Sequence, residues 1–143
     1  MPTTRQLDNR QETLKNLRGG QHLQTKGKLY SGRASQWYCC LGSASISCGL
    51  TKVDGVPEKN YISCPDALVR TRSRNTFNNN LPSDIGRYLF GMTLDQATVF
   101  SNRSVAMNDA ENMTFVEIAD AWEKYWAMCD AWNKENPLLS TEF

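Results

Sequence analysis

The sequence predicts an α+β fold: a small sheet packed against a C-terminal amphipathic helix and two or three shorter helices. Three observations carry this. A long apolar periodicity near the C-terminus begins at Thr114 and Glu117, which sit at the N-cap and third position of a capping box. Shorter helical stretches end at Gly19-Gly20, Gly49 and Gly91. Between them lie apolar runs too short for a helix, such as Tyr61-Ile62-Ser63-Cys64, flanked by turn-forming residues.

The first helix is expected over Asp8–Arg18, with Asp8 as cap, Gln11 three residues on and Gly19-Gly20 as the stop. Gln21–Tyr30 reads as an extended segment broken at Gly27. Trp37-Tyr38-Cys39-Cys40-Leu41 opens a buried segment whose small residues, from Gly42 to Gly49, let a neighbouring backbone approach closely. Thr51–Asn60 reads as a turn-rich connector and Asn75–Asn80 as a mobile loop. Leu81–Gly91 forms a short helix with Ile85, Tyr88 and Leu89 on one face. Leu94–Phe100 and Val105–Met107 add core residues with little regularity, and Asn108-Asp109 reads as a capping turn before the last helix.

The last helix is the clearest element. Met113 and Ile118 form a hydrophobic staple, and Phe115, Ile118, Ala119, Trp122, Tyr125, Trp126 and Cys129 define its apolar face. Asn136-Pro137 closes it. Trp132 falls outside that register and is the candidate anchor for a protein partner; a tryptophan covering the end of the core is the plainer alternative.

With 143 residues, 40% of them hydrophobic, the chain fits a single domain over 1–143, with 1–7 and 136–143 loose and 70–80 a basic mobile loop or strand. It contains no apolar run of about 18 residues and no signal-like start, so a reducing, cytoplasmic setting is expected. Five cysteines cannot all pair, and their spacing lacks the paired knuckles of a zinc site. Buried free thiols are the expectation, with no metal and no cofactor.

The net charge of +1 hides an asymmetry. Residues 1–74 carry 12 Lys and Arg against 5 Asp and Glu, and residues 75–143 carry 4 against 10. The two halves either neutralise each other within the fold or present faces of opposite sign to partners. Lys26 and Lys28 beside Gly27 form a basic, glycine-punctuated stretch that could cradle an anion, without the spacing of a known phosphate loop. Arg70, Arg72 and Arg74 would line one face of a strand, a geometry suited to phosphate or carboxylate, or form a solvated charge run. Cys40, next to a helix start, is a conceivable nucleophile, though packing is the favoured role.

Several motifs together resemble a group of small, uncharacterised phage and prophage proteins. They are Leu17-Arg18-Gly19-Gly20 with Gln24-Thr25-Lys26-Gly27, then Tyr38-Cys39-Cys40-Leu41-Gly42, then Leu81-Pro82, then Met107-Asn108-Asp109 and Thr114-Phe115-x-x-Ile118-Ala119-Asp120. The likeness spans most of positions 17–126. This chain has Gly20 where that group has Ser, Met107 where it has Leu, and a basic Arg70–Asn80 insert of its own. The resemblance implies a phage origin and a host-cytoplasm location, and no activity. The function expected is a non-catalytic binding protein that inhibits or redirects a host protein, or sequesters a small anionic, nucleotide-like ligand. The alternatives are a small thiol-dependent enzyme using Cys40 and a nucleic-acid-binding accessory using the basic N-terminal half. A homo-oligomer is compatible with all of these, and no membrane partner is expected.

Overall fold

The computed structural model describes residues 2–31, 36–53, 62–64, 76–77 and 80–137. The order of elements is α1 (Thr4–Gly19), β1 (Leu23–Gln24), β2 (Trp37–Tyr38), α2 (Cys40–Ser47), β3 (Thr51–Lys52), β4 (Ile62–Ser63), β5 (Thr76–Phe77), α3 (Ser83–Phe90), α4 (Leu94–Asp109) and α5 (Phe115–Glu135). The fold is α+β with a long C-terminal helix. Among the described residues no helix is long and apolar enough to cross a membrane.

Three helices begin with the same device. Thr3, Thr93 and Thr114 each accept a hydrogen bond from the backbone three residues on, while Gln6, Gln96 and Glu117 reach back to the cap's own N–H. The Thr3 box starts α1 at Thr4, four residues before the expected Asp8. Residues 4–7 are therefore part of the helix, and Gln6 Nε2 also donates to the Tyr88 carbonyl at 3.0 Å.

α2 and α5 each pack against both α1 and α4. The centre is aromatic. The Phe100 ring lies 4.9 Å from Trp122 and 5.6 Å from Trp126, and Phe90 lies 5.0 Å from Trp126, spacings at which offset rings attract beyond their buried area. Buried Arg10 ties α1 to this cluster. Its two terminal nitrogens donate to Asp130 at 2.8 and 3.0 Å, its Nε donates to the Phe90 carbonyl, and its guanidinium lies 5.5 Å from the centre of the Trp126 ring. Arg18 pairs with Asp120 and Glu123. Part of the charge asymmetry is thus met within the molecule, α1 answering α5.

α4 is continuous over sixteen residues, where the sequence showed little regularity. Its inward face is mostly small and polar, with Ala97, Ser101, Ser104 and Asn108 beside only two large apolar residues, Phe100 and Met107. Asn108 and Asp109 are its last residues, so they end α4 rather than open α5.

Among the described residues the sheets are small. β1 and β2 pair in parallel with Leu23 opposite Trp37, and Tyr30 bridges to Tyr38 on the other side of β2. β3, β4 and β5 form an antiparallel set with Ile62 opposite Phe77. Thr76-Phe77 is therefore strand, not loop, because Phe77 is buried against the core. Likewise Thr51-Lys52 starts a strand where a connector was expected.

Candidate ligand-binding face

The thiols are built into the fold. Cys39 is the N-cap of α2, its Sγ accepting from the Gly42 N–H at 3.4 Å. Cys40 is fully buried and its thiol donates to the Ser104 carbonyl at 3.4 Å. Burial pushes the Cys39 thiol up to about 11, the Cys48 thiol up to about 12, and the Cys40 thiol well above its ordinary value. A nucleophilic cysteine needs the opposite: exposure and a stabilised thiolate. His22 does not serve Cys40 as a base either. Its Nδ1 is hydrogen-bonded to the Ser43 hydroxyl at 2.7 Å, and Ser43 is fully buried on α2. Among the described residues, no group of three or more His, Cys, Asp or Glu could hold a metal ion.

Asn108 is the centre of a buried polar network. Its Oδ1 accepts from the Cys40 N–H at 3.2 Å and from Gln24 Nε2 at 3.0 Å, while its Nδ2 donates to the Thr25 carbonyl and to Asp109 Oδ1, both at 2.8 Å. Asp109 Oδ1 in turn accepts from the Gly27 N–H at 3.1 Å, and Gln24 Nε2 also donates to the Met113 carbonyl. Gly27 has φ +77°, a conformation that costs glycine little. Lys26 donates to Asn112 Oδ1. The start of the loop after β1, residues 25–27, is thereby strapped to the end of α4.

Two of the sequence-predicted site residues lie here. Lys26 and Lys28 lie on the same strapped loop, Lys26 turned onto Asn112 and Lys28 exposed. Arg70, Arg72 and Arg74 lie outside the described residues. Trp132 sits on α5, a separate element, and is 53% exposed, with Asn133 rather than Trp132 turned into the interior.

Beside the strapped loop are groups that sequence reasoning missed. Leu23 and Trp37, partners in the parallel register, are 43% and 48% exposed, forming an apolar pair on the solvent side of the β1–β2 sheet. Strand alternation was the available signal, since Trp37 points out where Tyr38 points in. Behind them Tyr38 carries the His22 ring at 4.6 Å, and the Lys52 ammonium lies 4.9 Å from the centre of the Tyr30 ring and 4.8 Å from that of Tyr38. Burial, and then the Lys52 charge, push the His22 pKa below its ordinary value, so His22 is neutral at pH 7.

An exposed indole, a leucine and a basic loop held in place can receive a flat ring and a negative group. No family model matches the sequence, and no curated protein or solved structure matches it.

Proposed function

We propose that the chain is a non-catalytic binding protein that sequesters a small anionic, nucleotide-like ligand on the β1–β2 face. Its setting in this reading is the host cytoplasm, as a phage-encoded protein. The observation that carries the reading is the exposed Leu23–Trp37 pair across β1 and β2, β1 leading into the loop of Lys26 and Lys28. A base stacked on an exposed aromatic ring gains about 1–3 kcal/mol. Nearby lysines attract phosphate as point charges. The sequence also offers Arg70, Arg72 and Arg74 as anion contacts; they lie outside the described residues.

The thiol-enzyme alternative is disfavoured by the burial of Cys40. The nucleic-acid alternative is weakened because Arg10 and Arg18, from the basic half, are engaged by α5 carboxylates. A second reading, a host-protein contact, is favoured by Trp132 together with Met128, 65% exposed and one turn away on α5.

Calorimetric titration with nucleoside mono-, di- and triphosphates and with a short single-stranded DNA tests the proposal. Saturable binding of a mononucleotide, lost in Trp37→Ala and kept in Cys40→Ser, is the expected result. Preference for the DNA strand, or binding indifferent to Trp37→Ala, contradicts it.

A further inference from the structure

We infer that one flank of α5 is a self-complementary surface on which a second copy of this chain docks, antiparallel, about a two-fold axis at Met128. The inference rests on reading Trp132 as a contact residue. Ala121, Tyr125, Met128 and Trp132 follow one another at spacings of four, three and four, the seam of a helix that pairs with another helix. Inside the molecule only the first half of that seam is covered. Tyr125 leans on α4, donating from its hydroxyl to the Gln96 carbonyl at 2.9 Å, whereas Met128 and Trp132 are mostly exposed. Val99 on α4, next in sequence to the Phe100 that touches Tyr125, is also 55% exposed.

The charges bordering the stripe select the occupant. Lys124 and Glu135 are both exposed and flank it on its solvent side. With Met128 on the axis, antiparallel helices place Lys124 of one copy across from Trp132 of the other, within one turn of that copy's Glu135. The ammonium then meets an indole face and a carboxylate, and symmetry supplies the contact twice. A partner helix with basic residues on both flanks would oppose Lys124, and one with acidic residues on both flanks would oppose Glu135. A second copy satisfies both. α5 is about 30 Å long, so the pairing corresponds to a small interface with a dissociation constant in roughly the micromolar range.

Sedimentation equilibrium of the full chain over about 1–100 µM tests this. The wild type is expected to dimerise in that range. Met128→Glu should weaken the dimer by at least about tenfold, because it places two like charges together on the axis. Lys124→Glu should weaken it severalfold, and Lys124→Glu combined with Glu135→Lys should recover it. These side chains are exposed, and unchanged far-UV circular dichroism confirms folding. A monomer throughout the range, or a dimer indifferent to Met128→Glu, overturns the inference. Failure of the double reversal overturns the antiparallel pairing. A monomer that loses a host protein on Trp132→Ala overturns the dimer and leaves the protein-contact reading standing.

Discussion

Asn108 Oδ1, at the end of α4, accepts the backbone N–H of Cys40, the first residue of α2, at 3.2 Å, and neither group is open to solvent. One side chain thereby joins a helix end to a helix start 68 residues earlier, and through Gln24 and Thr25 it also holds the loop of Lys26 and Lys28. Asn108→Ala leaves the buried Cys40 N–H unmet and takes a partner from the partly buried Gln24 and Thr25. An unmet buried polar group costs about 1–3 kcal/mol. A loss of at least about 2 kcal/mol in urea unfolding is expected; a loss below about 0.5 kcal/mol would show that the network contributes little.

Gly42 and Gly19 form a matched pair for testing packing. A Cβ on Gly42 would lie 1.8 Å from the Leu29 carbonyl oxygen, a backbone atom that cannot rotate away, whereas a Cβ on Gly19 meets nothing within 4 Å. Gly42→Ala should destabilise by about 3 kcal/mol or more. Gly19→Ala, at a helical position, should be neutral or stabilising by up to about 1 kcal/mol. Thermal unfolding of the two variants side by side reads the difference, and equal melting temperatures would contradict the close approach.

The thiols should be protected in the folded state. Cys39, Cys40 and Cys48 are buried with raised pKa values, so iodoacetamide at neutral pH should leave them unmodified in the native protein and label them in urea. Rapid native labelling of Cys40, found by peptide mass mapping, would restore the enzyme alternative.

Acid should weaken the fold through His22. Its pKa is depressed in the folded state, first by burial and then by Lys52, so the unfolded chain binds the proton more tightly. The neutral ring's contribution is fully present above the ordinary value of 6.5 and is lost as pH falls below it through the folded pKa. Stability measured from pH 7.5 downward should therefore decline below 6.5 in the wild type, and His22→Gln should flatten that part of the curve. A decline of equal slope in the variant would assign it to other groups.

What the sequence revealed tracks how local each signal is. α5 was legible because Thr114, Glu117 and a run of large apolar residues lie within one helix's reach of each other. α4 was not, because the face it buries is Ala97, Ser101, Ser104 and Asn108, whose fit depends on partners elsewhere, including Trp122 Nε1 donating to Ser104 Oγ at 2.9 Å. The basic loop was legible from Lys26, Gly27 and Lys28. Its anchoring was not, since Gln24 and Asn108 are 84 positions apart. Trp37 was read as core because it begins an apolar run, and only the pairing of β1 with β2 reveals that it faces out beside Leu23.

The binding account is tested most directly by native mass spectrometry of the protein purified from host-cell lysate, with Trp37→Ala, Lys28→Glu and Cys40→Ser prepared alongside. The expected result is a co-purifying small anionic, aromatic ligand on the wild type and on Cys40→Ser, absent from Trp37→Ala and reduced on Lys28→Glu. A wild-type protein that carries no such ligand, or a ligand that survives Trp37→Ala and disappears with Cys40→Ser, would contradict it.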